Sequence, residues 1–131
     1  MNAEEPAHDN LELVRAHYDA FARGDLDMLL QGLDPDIVIT IHDEHGRPEG
    51  EPIRGRDGAH SFFTDIGAAV SDRRVEIEQL RADEDKVLAR VLLAGTLKRT
   101  GEAGTIQAVH LHTLYEGVIC EIRTYRPDWR G

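Results

Sequence analysis

The sequence predicts one α+β domain: a curved antiparallel sheet packed on three helices drawn from the N-terminal half. Three observations carry this. Apolar residues recur at helical spacing in the early part of the chain and alternate in the later part. The late alternating stretches are joined by links of a few residues, so neighbours should pair antiparallel. The 131 residues, 40% hydrophobic and 31% charged, are enough for one core without staples.

The elements follow in order. Residues 1–9, "MNAEEPAHD", read as a flexible tail, leaving 10–131 as the domain. Asn10 is placed to cap a first helix, in which Leu11, Val14, His17, Tyr18 and Phe21 recur at helical spacing. Gly24 stops it. Asp25 caps a short second helix carrying Met28, Leu29 and Leu30, ended by Gly32 and Pro35. "DIVITIHD", 36–43, alternates and is β-branched, so it is a strand. A long polar loop follows. Asp57 is placed to cap a third helix over 57–70 that carries Phe62, Phe63, Ile66 and Val70. Four strands complete the chain, at 73–82, 86–99, 104–117 and 118–126. Helices early and strands late argue an α+β layer architecture, and a curled sheet closed by helices leaves a cone whose open mouth suits a ligand.

Composition excludes several functions. A formal net charge of −10 repels phosphate backbones and anionic lipid surfaces. No 18-residue apolar run and no signal-peptide pattern is visible, so the expected location is the cytoplasm. The single cysteine, Cys120, rules out an internal disulfide and a multi-cysteine metal site, and is read as a small core residue.

Five stretches in this order resemble the nuclear transport factor 2-like superfamily, in its SnoaL-like polyketide cyclase and ketosteroid isomerase branch. They are "HYDAFARGDLDMLL", "DPDIVITIHD", "PIRGRDGAHSFF", "VEIEQLRADEDKVLARV" and "AVHLHTLYEGVICEIRTY". The resemblance implies the cone-shaped fold, a homodimer through the sheets, and a cofactor-independent chemistry without metal. One such fold hosts many reactions, so the reaction must be argued from the site.

The resemblance to ketosteroid isomerases places Asp43 at the general-base position, at the end of the strand face of Ile39 and Ile41. A carboxylate there would be partly desolvated, which raises its pKa toward a useful range. His110 takes the place of the isomerases' acidic hydrogen-bond donor to the enolate oxygen. His112 shares its face by period two. The enolate-binding tyrosine of the first helix maps onto His17 or Tyr18, and both lie on the inward stripe. Thr124 stands where SnoaL-like cyclases place an essential aspartate, so a mechanism depending on that acid is not supported. The Asp-Arg-Asp cluster of the superfamily's epoxide hydrolases cannot be placed.

The expected catalytic set is therefore Asp43, His110 and Tyr18, with His17, His42, His112, Thr124 and Phe63 against the substrate. The loop after Asp43 is expected to form part of the pocket rim. His42, His45, His110, His112 and Asp43 include metal-ligating types, but they come from different elements and no metal is expected. "RGRDG", 54–58, could bind an anion at a helix start, but is read as shaping the entry to the third helix. Val109, Leu111 and Tyr115, with Glu121, Arg123 and Tyr125, form an amphipathic outer face suited to a second copy.

Two functions of different kinds remain. One is an enzyme moving a proton alpha to the carbonyl of a hydrophobic polyketide- or steroid-like molecule. The other is a non-catalytic binding or accessory protein on the same scaffold. A weaker third reading uses the sheet face for a different protein partner.

Overall fold

The structure is a computed structural model that describes residues 5–125. Residues 1–4 of the expected tail and 126–131 of the expected domain lie outside the described residues. The elements run α1 (Glu5–Arg23), α2 (Leu26–Gln31), β1 (Leu33–His42), β2 (Ile53–Arg54), α3 (Gly55–Ala69), β3 (Val70–Asp83), β4 (Lys86–Leu97), β5 (Ala103–Tyr115) and β6 (Val118–Tyr125). The α+β reading holds: three helices lie against a curved, unclosed six-stranded sheet.

Helix α1 starts at Glu5, so residues 5–9 are helical rather than tail, and Asn10 is not its cap. Asn10 lies inside the helix, and its Nδ2 donates to the Glu84 carbonyl in the β3–β4 turn at 3.4 Å. Helix α2 is capped as the sequence predicts. Asp25 accepts a hydrogen bond from the Met28 amide at 3.1 Å, and Gly32 ends the helix. Helix α3 starts two residues before Asp57, directly after β2, so Asp57 sits in its first turn, where its charge complements the helix dipole. The "RGRDG" stretch is structural here. Arg56 donates through Nε and Nη2 to the Leu33 carbonyl at 3.0 and 2.8 Å, fastening the start of α3 to β1.

The sheet order is β2-β1-β6-β5-β4-β3. One feature departs from the all-antiparallel expectation: β1 runs parallel to β6, with Ile39 beside Ile122 and Ile41 beside Thr124. A parallel neighbour needs a long crossover, and the whole run from β2 to β5 supplies it. Pro35 is accommodated within β1 because the β1–β6 register breaks between Leu33 and Val38. The β5–β6 hairpin closes Tyr115 against Val118 through Glu116 and Gly117, both at positive φ (48° and 84°), the geometry of a type I′ turn.

The core lies between the helices and the concave sheet face. Val14 and Tyr18 of α1, Phe63 of α3, Ile37 and Ile39 of β1, Val87, Ala89 and Val91 of β4, and Ile119 and Ile122 of β6 are buried there. Full burial of each such aliphatic side chain is worth about 1.5–3 kcal/mol. Cys120 is half-buried, its Sγ donating to the Thr113 carbonyl at 3.3 Å.

Candidate functional site

The core is not filled throughout. A cavity of about 340 Å³ lies between α1, α3 and the sheet. Its walls are mostly apolar: Ile39 and Ile41 of β1, Phe62, Phe63 and Ile66 of α3, Leu93 of β4 and Ile106 of β5 contribute. Among the described residues, five polar side chains interrupt them: His17, Tyr18, Arg73, His110 and Thr124.

Periodicity delivers these groups. Val14, His17, Tyr18 and Phe21 form the inward stripe of α1, so His17 and Tyr18 both reach the interior, and neither displaces the other. On β5, His110 pairs with Thr124 of β6, which puts both on the concave side.

Tyr18 organises the site. Its hydroxyl lies 2.7 Å from His110 Nδ1 and 3.4 Å from His112 Nε2, and His112 Nδ1 lies 3.1 Å from the Val87 carbonyl. A carbonyl only accepts, so His112 Nδ1 carries a proton, and in the neutral ring Nε2 is a bare acceptor. If Tyr18 donates to His112, His110 Nδ1–H donates to the Tyr18 oxygen and no nitrogen in the chain is left buried and unpaired. The reverse direction would strand His112 Nε2. Hydrogen-bond accounting therefore assigns the chain His110 Nδ1–H to Tyr18 O–H to His112 Nε2, with His112 Nδ1–H on Val87. The free Nε2 of His110 is then a lone pair on the cavity side.

His17 stands edge-on to Tyr18, Phe63 and His112, with ring centroids 5.6, 6.2 and 5.9 Å away. Its Nδ1 is sealed from solvent and has no partner among the described residues. Burial holds all three histidines neutral. Desolvation, with the neighbouring histidines adding repulsion, brings His17 and His110 down to about 3. Desolvation brings His112 to about 4, against the bond to Val87 that favours its charge. His17 and His110 are half-buried and line the cavity, while His112 is fully buried. Burial also raises the Tyr18 hydroxyl well above its ordinary value, so it is a donor and not a phenolate.

Two expected site residues are elsewhere. Asp43 is not on the cavity wall. It caps a turn: its Oδ1 accepts from the His45 and Arg47 amides at 2.8 and 2.9 Å. Its own amide donates to the Arg47 carbonyl at 2.8 Å. Those backbone bonds, Arg47 first, hold its carboxyl below the usual range, the opposite of what a desolvated base needs. Strand β1 ends at His42, so the alternation that would have turned Asp43 inward stops one residue short. His42 also lies off the cavity, stacked on Tyr125 at 4.6 Å between ring centroids, with Nε2 3.1 Å from the Thr40 hydroxyl. The loop after it folds back onto the strand end, the Glu49 amide donating to the Ile41 carbonyl at 2.8 Å, and contributes nothing to the cavity lining. His112 is a correction of a milder kind. It does not touch the cavity but holds Tyr18 from behind.

Arg73 is the functional candidate that sequence reading missed. The signal was present: with Val75 and Ile77 facing in, period two puts Arg73 on the same face. Among the described residues no group of three or more His, Cys, Asp or Glu side chains is arranged to hold a metal, and no helix is long and apolar enough to cross a membrane.

A mostly apolar cone with a short polar row at one end is the form of a small-molecule-binding α+β domain. The chain matches the SnoaL-like domain over residues 14–122 and belongs to that family. Solved structures share the fold. A candidate SnoaL-like polyketide cyclase from Jannaschia sp. CCS1 superposes with a TM-score of 0.83 at 18% identity, covering 96% of this chain and 90% of that one. An LEH-like epoxide hydrolase from M. tuberculosis gives 0.75 at 20%, covering 92% and 84%. A protein with a ketosteroid isomerase-like fold from Catenulispora acidiphila, in complex with trimethylamine, gives 0.75 at 18%, covering 87% and 84%. No curated protein matches this chain in sequence.

Proposed function

We propose that this chain is a cofactor-independent enzyme of the isomerase or cyclase kind, acting on a hydrophobic, carbonyl-containing small molecule by proton transfer alpha to the carbonyl. The observation that carries this is the hydrogen-bond chain from Val87 through His112 and Tyr18 to His110, ending on an apolar cavity. A base held by one group and backed by another is the arrangement general-base catalysis requires.

In this reading His110 Nε2 takes the proton from the carbon alpha to the carbonyl. The electron pair left behind moves onto the carbonyl oxygen as an enolate, and the same imidazolium returns the proton to another carbon. His17 donates to the developing oxygen. His110, not Asp43, is the proton carrier. A ring held near a pKa of 3 is a weak base; at pH 7 it is neutral, with one ring nitrogen lone pair free. The imidazolium would lie beside the enolate in an apolar site, where their attraction is strong.

A second reading, a binding protein without turnover, is favoured by one observation: no carboxylate is among the described residues that line the cavity. We also place a homodimer contact on the outer sheet face, where Leu88, beside Leu111, and Tyr115 are 39% and 67% exposed.

The two readings part in a single experiment. A panel of hydrophobic ketones is incubated with the protein in deuterium oxide, and exchange at the alpha carbon is followed by NMR. Exchange above buffer that disappears in His110→Gln supports the enzyme. Saturable binding without exchange supports the binding protein. Neither exchange nor binding refutes both.

A further inference from the structure

The geometry points to Arg73 as an anion-binding residue of this cavity, and so to a hydrophobic carboxylate as its ligand. The acid would sit on the guanidinium while the apolar body extends toward His110. The inference rests on the reading of the cavity as a small-molecule site and narrows the class of molecule.

Among the described residues, Arg73 is the one side chain with a fixed charge that lines the cavity. It enters from β3 at a place where the pairing with β4 is irregular, between Ser71 and Arg74, next to Asp72 at a φ of 52°. Irregularities of this kind re-aim side chains and are frequent beside functional sites. Its guanidinium carbon lies 4.9 Å from the centre of the Phe21 ring. Its two terminal nitrogens are flanked by glycines. A Cβ on Gly24 would come within 3.0 Å of one, and a Cβ on Gly67 within 3.6 Å of the other. Gly24 follows the end of α1 and Gly67 lies in the last turn of α3, so the charge sits near two helix C-termini, which favour a cation.

That placement explains why the charge is tolerated. It does not explain what its hydrogen-bond donors do. A guanidinium has five N–H groups in a rigid fork. In the same chain, Arg56 shows a structural arginine, with two of those groups on one carbonyl. Among the described residues Arg73 has no acceptor within hydrogen-bond distance and no acidic side chain within ion-pair distance. The fork is thus held by the Phe21 face and the glycine flanks, with its donors unspent, between the apolar cavity and a smaller one of about 180 Å³ that Gly24, Gly67 and Arg73 line. A carboxylate matches it in charge and in bidentate geometry.

The two ends of the cavity are related through α1. Tyr18 holds His110 and Phe21 carries Arg73, so the groups they hold attach about one helical turn, roughly 5 Å, apart along the helix.

The test is calorimetric titration with two matched pairs at pH 7: naphthaleneacetic acid against its amide, and decanoic acid against decanamide. A charge-assisted bond should make each acid bind about tenfold or more tightly than its amide. Arg73→Gln should erase that preference while leaving the amides' affinity, and Arg73→Lys should keep part of it. A merely structural arginine would instead lower acid and amide affinity together, along with the thermal midpoint. Equal affinities in the wild type, a preference that survives Arg73→Gln, or no binding of the acids in the millimolar range would each overturn the assignment. Ketone exchange in deuterium oxide needs no acid group, so it reads the proton-transfer proposal separately.

Discussion

Three buried neutral histidines make the fold sensitive to acid, and the size of the effect follows from the site. In the unfolded chain His17, His110 and His112 titrate near 6.5; in the folded protein they do so at about 3, 3 and 4. Between those limits the unfolded state binds more protons than the folded one. Stability is therefore full above the unfolded pKa and falls as the pH drops toward 4. At pH 5 the unfolded chain gains about 2 kcal/mol from protonating each ring, so about 6 kcal/mol for the three. That is comparable to the whole stability of an ordinary domain, about 5–15 kcal/mol. The assay is urea unfolding at intervals from pH 8 to pH 4.5. Near pH 5 the free energy of unfolding should fall by about 4 kcal/mol per pH unit, the signature of about three extra protons. His17→Phe is the control. The ring lies among Tyr18, Phe63 and His112 and its Nδ1 has no partner among the described residues, so an apolar ring fits. This variant should lose one proton of the linkage and gain about 2 kcal/mol at pH 5 relative to the wild type. An unfolding free energy that stays level from pH 7.5 to 5 would refute the reasoning. So would imidazole resonances of the folded protein that all titrate near 6.5.

Two further predictions test the assignments around the cavity. Asp43→Asn should leave ligand affinity and ketone exchange as in the wild type while disturbing amide shifts from His45 to Arg47, since Asp43 holds a turn and not a proton in flight; a loss of exchange would restore it as the base. Tyr18→Phe should cost about 1–3 kcal/mol in urea unfolding at pH 7, because His110 Nδ1 and His112 Nε2 both lose a partner inside the protein; an unchanged unfolding midpoint would mean that the chain of bonds does not stabilise the fold.

The sequence by itself determined the architecture and the polar row at the cavity. Helical spacing in "LVRAHYDAF" and alternation in "AVHLHTLY" are local periodicities. They fix which side of an element each residue occupies before anything packs against it, so His17, Tyr18, Phe63, His110 and Thr124 were legible. The same alternation in "RRVEIE" marked Arg73, which reads as surface charge until Val75 and Ile77 are recognised as the inner face. Periodicity does not say where an element stops. Asp43 looked like the end of a strand and proved to be the cap of a turn, because two backbone amides were nearer to its carboxylate than any pocket. Tertiary structure alone decided that β1 runs beside β6 in parallel, that His42 turns away onto Tyr125, and that His112 stands behind Tyr18 rather than on the cavity wall. Each depends on contacts between residues more than 80 positions apart or on the exact end of a strand, and such contacts leave no period in the sequence. The neutrality of the three histidines is decided there too, since a pKa follows from the water and charge excluded around a ring and not from its neighbours along the chain.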